Sequence, residues 1–511
     1  MEQTRTLQNG SGWRENPLTR ATVAFAGFFL LGLLVSVVAY PLMVRYGIAA
    51  GIALIIGPVI LVVGIFAIPE FFTGWKALRT SFGWQEWLWV LLFLSATTFA
   101  VPDANASLDE RLDSWAILRL AIETMIGVII LFRMSSGKST LRYLVSGLPA
   151  FLTLFCAIAL VSTTWSVSPP FTLFKSMEYL LDAAVLAVIL ESAASLEDFI
   201  KLLNWTWVVY ACETGIAWVG AVVFPQYAWD ELHRLQSVYP KVGANNIGTT
   251  GATLALVAIS RLLWRDRYKD YAWYGMVLLY GMASLLVSQT RNAIAGFAVG
   301  VVLLLIFDNR KWLLMVMGGV GIPLVLLTPL RDVIETYLRR GQSDEALASL
   351  TGRMDWWMYA WHELTLHPFT GLGAFAGGKF GVLAKLGVSD AAYLHSDWLE
   401  IMVGTSFWGI LAFLPAVIGA WWYLGRGSRW TWLKSIERQE AVECFAIMGM
   451  LTVHSIFNNE LCWHPPLLFF SVLGYAELLR RREKQRKQEL ALAAVTPSQA
   501  KLYPVLVGAE S

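Results

Sequence analysis

The chain has 511 residues, 57% of them hydrophobic and only 15% charged, with a mean hydropathy of +0.56. That balance excludes a soluble protein of this length, which could not hide so much apolar surface. A net charge of +2 leaves no footprint for a nucleic-acid partner.

Apolar runs of membrane-spanning length recur along the whole chain. They predict an all-α polytopic membrane protein of about 12–14 transmembrane helices, placed near 21–41, 48–68, 86–102, 115–133, 148–165, 177–192, 200–224, 244–263, 272–288, 292–307, 312–328, 397–424, 440–458 and 464–480. The first run follows Arg5, Arg14 and Arg20 without a small-residue cleavage site, so it is expected to be a retained span. The Pro pair in WSVSPPF interrupts the apolar stretch from 148 to 192 and marks a turn. The 24 tryptophans suit anchoring at membrane surfaces, and the cysteines at 156, 212, 444 and 462 form no CxxC pair or disulfide framework.

Lys and Arg distribution sets the orientation. With both termini cytoplasmic, the inner loops hold Lys76 and Arg79, Arg133 to Arg142, Arg261 to Lys269, Arg310 and Lys311, and Arg426 to Arg438, and the outer loop VPDANASLDERLD is acidic. The organisation expected is N-terminal membrane helices at 1–147, core membrane helices at 148–328, an outer loop at 329–394, C-terminal membrane helices at 395–482 and a disordered cytoplasmic tail at 483–511. The basic head of that tail, RRREKQRK, would meet anionic inner-leaflet lipid.

The outer loop is too long and too aromatic for a linker. Leu350, Met354, Trp357, Trp361 and Leu364 recur at helical spacing, as in a helix lying in the interface, and Gly371, Gly373, Gly377, Gly378 and Gly381 mark tight turns. His395 ends the loop where a new span begins. An imidazole there can take a proton from a hydroxyl near neutral pH, with Asp397 and Glu400 nearby to orient it. A solvated interfacial histidine is the plainer alternative. Arg291, in the outer turn SQTRN, is costly at such depth unless paired or functional, and its planar fork suits phosphate oxygens; snorkelling to lipid head groups is the alternative. Arg353 opens the loop helix, where backbone N–H groups also favour anions, although Asp355 or Glu363 could simply pair with it.

Other signals are weaker. Glu178, Asp182, Glu123 and Glu213 lie within spans, where acids form proton paths or stitch helices together. His454, Glu460 and His464 match no metal-site spacing, and no metal ligand set is assigned. GLGAFAG is not a dinucleotide fingerprint and no Walker sequence occurs.

SQTRNA (288–293), TGR (351–353), HPFTGLGAF (367–375) and LHSDWLEIMVGTSFWGI (394–410) together resemble the O-antigen ligase and O-antigen polymerase superfamily, which includes exopolysaccharide polymerases. WSVSPPFTLFKS (165–176) resembles an upstream element of the polymerase branch, and ANNIGTTGA (244–252) an Asn-containing element that opens a span. TSFWG at 405–409 departs from the smaller, Gly-rich turn of many relatives. The resemblance implies a GT-C-like, metal-independent glycosyltransferase of the bacterial inner membrane, without cofactor, its large loop periplasmic and carrying short helices. The donor it implies is an undecaprenyl diphosphate-linked oligosaccharide, and the acceptor a second glycan or lipid A–core. Membrane lipids, and a chain-length regulator, complete the partners to be considered. By motif, Arg291 and Arg353 would hold the diphosphate and His395 would be the base, with Asp397, Glu400, Asn246 and Lys241 in support. WSVSPPF tilts the expectation toward a polymerase of lipid-linked repeat units. The alternatives are an O-antigen ligase and, further off, a transporter or flippase that would use the intramembrane acids.

Overall fold

The structure, a computed structural model, describes residues 83–96, 114–136, 140–193, 195–230, 232–237, 242–264, 268–308, 310–350, 352–388, 391, 393–463 and 465–500. The expected spans near 21–41 and 48–68, the acidic stretch 103–113, Lys241 and His464 lie outside the described residues.

The described chain is almost entirely helical and carries several long apolar helices, the architecture of a polytopic membrane protein. In order they are α1 (Trp84–Ala96), α2 (Ser114–Ser135), α3 (Pro149–Val161), α4 (Pro169–Ser192), α5 (Leu196–Val223), α6 (Ala244–Trp264), α7 (Tyr268–Val287), α8 (Arg291–Phe307), α9 (Lys311–Leu327), α10 (Leu330–Arg339), α11 (Arg353–Leu366), α12 (Asp397–Gly427), α13 (Ser435–Phe457) and α14 (Leu467–Ala500). Among the described residues four helices are long and apolar enough to cross a membrane: α5, α6, α12 and α13. The pair α9 and α10 would make a fifth, but it bends by 84° at Thr328–Pro329, so α10 turns aside where the outer loop was expected to begin.

The bundle is centred on α12, which packs against α3, α13 and α14. An aromatic cluster fills the space between them, with Phe155 edge-on to Phe413 at 5.3 Å and Tyr179 edge-on to Phe470 at 5.7 Å. Within lipid, close packing rather than the hydrophobic effect holds helices together. The α6–α7 crossing shows it: a methyl on Gly251 would lie 2.7 Å from the Gly281 carbonyl oxygen, and a methyl on Gly281 would lie 2.7 Å from that of Gly251.

The two ends of the bundle differ in charge chemistry. At one end, buried carboxylates are matched by arginines: Arg261 with Glu443 at 3.2 Å, and both Arg480 and Arg481 with Glu477 at 2.8 Å. This is the end expected in the cytoplasm. There α14 does not stop at the membrane; residues 483–500 continue as helix where a disordered tail was expected. Their Glu, Lys, Gln, Leu and Ala are strong helix formers, and Glu483 pairs with Lys487 one turn on at 3.1 Å. The other end gathers the starts of α6, α8, α11 and α12 and the end of α13.

Candidate active site at the arginine-rich end

The local geometry begins with a broken helix. α12 has a non-helical residue, Ser406 (φ 56°, ψ −155°), within the TSFWG stretch. The break frees carbonyls that an intact helix would use itself. Leu372 N donates to Val403 O and Gly373 N to Gly404 O, each at 2.8 Å, so the HPFTGLGAF loop docks on the break. Gly371 has φ 64°, and a side chain there would lie 2.6 Å from Gly404 O. WSVSPPF and the residues flanking it back the same loop: Val167 N donates to Leu372 O (2.9 Å) and Trp165 Nε1 to Thr370 O (2.9 Å), while on either side of the motif Ser162 Oγ accepts from Ala374 N (3.0 Å) and Thr172 Oγ1 donates to Ala374 O (3.0 Å). Motifs that the sequence separates by about two hundred residues are one brace.

That brace fixes the first turn of α12. Asp397 is fully buried, and its Oδ2 accepts from Glu460 N (2.8 Å) and Leu461 N (3.0 Å) while Oδ1 accepts from Cys462 N (3.1 Å). Glu400 Oε2 accepts from Leu394 N at 3.1 Å. Both acids were expected to orient the imidazole, but they bond the backbone on either side of it. They hold the segments that carry His395 and its partner. Tyr179 Oη, donating to Leu461 O at 2.8 Å, ties α4 to the same loop.

His395 sits in the left-handed region (φ 55°), a conformation that costs a non-glycine residue about 1–3 kcal/mol and persists only where its surroundings enforce it. Its ring lies between Tyr393, edge-on at 4.7 Å, and Trp356, stacked at 6.3 Å. Its Nδ1 is 3.3 Å from Asn458 Oδ1, and Asn458 Nδ2 donates to Glu460 Oε1 at 2.9 Å. The carboxylate therefore sets the amide orientation, oxygen toward the imidazole. An amide oxygen only accepts, so Nδ1 carries the ring proton and Nε2 keeps a free lone pair. Burial first, then the Arg353 charge, push this imidazole down to about 4, against the Asn458 hydrogen bond, so it is neutral at physiological pH.

Arg353 acts on it directly, and Arg291 and Arg340 follow as neighbouring charges. Arg353 opens α11 and donates to Phe457 O at 2.8 Å; Arg291 opens α8 and donates to Gln342 Oε1 at 2.8 Å. Arg340, which sequence reasoning passed over, follows α10 in a left-handed conformation (φ 50°), and its Nε is buried without a partner. Burial and then the charges of Arg291 and Arg234 push Arg340 down to about 10, and burial lowers Arg353 as well. Arg234 is matched by Asp230 at 2.7 Å. Among the described residues no carboxylate pairs with Arg291, Arg340 or Arg353. Three positive groups held together without counter-charge make a site for an anion. An apolar groove lined by Val325, Ile334 and Leu338 runs from Arg291.

The remaining candidates separate. Glu178 is matched by Lys175 and Arg119, a helix stitch. Asn246 does not meet His395; with Glu213 it lines a polar cavity of about 280 Å³ on the far side of Tyr393 and Glu460. The sequence reading missed Arg340 and Asn458: Arg340 precedes a helix-stopping glycine and Asn458 follows the last turn of α13, positions that mark helix ends and not a site. Glu460, weighed in the sequence only with His454 and His464, is the acid that holds the Asn458 amide.

Residues 275–414, from α7 to the middle of α12, match the family model described as O-antigen ligase. The match supports the superfamily resemblance drawn from the motifs, and its span holds Arg291, Arg340, Arg353 and His395. No curated protein matches the chain.

Proposed function

We propose, taking the chain as a member of the O-antigen ligase and polymerase superfamily on its residues 275–414, that it is a membrane-embedded glycosyltransferase moving a glycan from undecaprenyl diphosphate to an acceptor hydroxyl. The observation that carries this reading is the set of arginines without counter-charge beside a neutral imidazole with a free Nε2. The acceptor oxygen attacks the anomeric carbon. Its proton passes to His395 Nε2, and the anomeric C–O bond breaks with its electron pair going to the diphosphate. Charge grows on that leaving group in the transition state, where guanidiniums already in place stabilise it most. The groove beside Arg291 suits the first isoprene units of the carrier. No metal is needed in this scheme, so activity should persist in EDTA; loss on chelation with recovery on adding a divalent ion would overturn the arginine clamp.

Transfer to a final acceptor is the better-supported reaction. The matched family is described as a ligase, and WSVSPPF, which suggested a polymerase, braces the loop under α12 through Trp165 and Val167. The deciding experiment complements a deletion strain with wild type or His395→Ala and sizes surface and carrier-linked glycans. Long chains stranded on the carrier mark a ligase. Single repeats, on the carrier or on lipid A, mark a polymerase. Unchanged pools with His395→Ala would remove the base.

A further inference from the structure

We propose that the cavity between α5, α6 and the loop after α13 seats one uncharged sugar ring of the glycan, a reading that rests on the transfer reaction above. The cavity is polar although it lies between helices: Glu213, Asn246, Thr250 and Thr253 come from the two helices, Asn459 and Glu460 from the loop. Asn459 points to a ligand most directly. It is 8% exposed, it lines the cavity, and neither Oδ1 nor Nδ2 has a hydrogen-bond partner. Leaving a buried amide unpaired costs about 1–3 kcal/mol per group, and native proteins keep such groups where water or a ligand satisfies them. An amide, threonine hydroxyls and carboxylates together offer donors and acceptors in the mixture that sugar hydroxyls match, since each hydroxyl both donates and accepts. Tyr393 and Trp463 supply aromatic walls for the C–H face of a ring.

Size and charge narrow the ligand. At about 280 Å³, the cavity falls just below the range of about 300–1,000 Å³ for drug-sized ligands, so it holds about one ring, and the rest of a glycan would extend from its open side. Its lining has two acids, Glu213 and Glu460, and no Lys or Arg; a uronic acid or other anionic sugar would find no cation there and would meet the Glu460 carboxylate. Arg291, Arg340 and Arg353 are not among the residues that line it. The cavity also adjoins the base: Tyr393 forms part of its wall and packs on His395 at 4.7 Å, and Glu460 is joined to His395 through Asn458. A ring held there fixes the position of the neighbouring sugar hydroxyl or anomeric carbon relative to Nε2.

The test uses the full-length protein in nanodiscs and saturation-transfer NMR. The probes are methyl glucopyranoside and methyl galactopyranoside, with methyl glucuronoside as the charged counterpart. At least one uncharged glycoside should bind wild type, and His395→Ala should bind it equally well. Asn459→Leu, which keeps the volume, and Asn246→Ala should each weaken binding about tenfold, with unchanged thermal melting as the check on folding. Binding unaffected by both variants, glucuronoside binding as tight as that of the neutral sugars, or no neutral glycoside bound would overturn the site. In transfer assays Asn459→Leu should raise the KM of the acceptor if the ring is the acceptor's, and of the donor if it is the donor's. A rise in neither would also overturn it. The two readings fail separately: sugar binding with transfer indifferent to His395 removes the chemistry, and His395-dependent transfer without sugar binding removes the cavity.

Discussion

At the scale of single residues, the depressed basicity of His395 has a measurable consequence. A base held down to about 4 is already deprotonated across the neutral range, so kcat/KM should stay flat as pH falls and drop only near that value. Donor binding adds negative charge beside Arg353, the second cause of the depression, so the acid limb of kcat should lie at higher pH than that of kcat/KM. An acid limb in kcat/KM near the ordinary histidine value of about 6.5 would contradict the buried, arginine-facing imidazole. Asn458 is the positioning residue. Asn458→Ala should lower kcat about 10–100-fold with little change in donor KM, because it releases the tautomer and leaves the arginines alone; an equal rise in KM would assign Asn458 to substrate binding. Arg291→Lys keeps charge but loses the fork, and should lose most of its activity. Wild-type turnover by that variant would mean that charge alone matters there.

At the scale of elements, the break in α12 explains why two distant motifs travel together. WSVSPPF supplies a rigid turn, the Trp165 indole N–H and the Val167 backbone N–H, and its neighbours Ser162 and Thr172 supply hydroxyls; HPFTGLGAF supplies the glycines that let its backbone reach Val403 and Gly404. Gly371→Ala would force a methyl against Gly404 O at 2.6 Å from a backbone that disfavours it. It should destabilise by about 1–3 kcal/mol, read as a lower melting temperature in detergent and faster proteolysis of the outer loop. A melting curve identical to wild type would show that the loop does not depend on this contact. The same elements show how far the sequence could be read. The long apolar helices beside the site were legible, because hydropathy writes itself in long runs; Arg291, Arg353 and His395 were singled out one by one, and the structure brings them to the same end of the bundle. The supporting roles were not. Asp397 and Glu400 stand next to His395 in sequence, yet one helical turn and a break aim them at backbone N–H groups. Arg340 and Asn458 reach the site only through tertiary contacts between segments far apart in the chain, which no local period reports.

At the scale of the whole molecule, arginines match the buried carboxylates Glu443 and Glu477 at one end, and the other end holds Arg291, Arg340 and Arg353, which pair with no carboxylate among the described residues. Orientation follows if the matched, basic end faces the cytoplasm. In a Cys212→Ala background, a membrane-impermeant maleimide should label Ser343→Cys in intact spheroplasts and Ser435→Cys only after permeabilisation; both residues are exposed and lie at opposite ends. The reverse labelling would invert the topology and put the site in the cytoplasm. The uncompensated arginines also bear on the catalytic cycle. Before transfer the carrier's diphosphate is a diester; afterwards it has a terminal phosphoryl group, whose second ionisation near pH 6 raises its negative charge. In the proposed reaction the arginine cluster would therefore grip the emptied carrier more firmly than the loaded one. Release, rather than bond making, would then set turnover, and the supply of surface glycan would depend on how quickly a phosphatase draws the used lipid away.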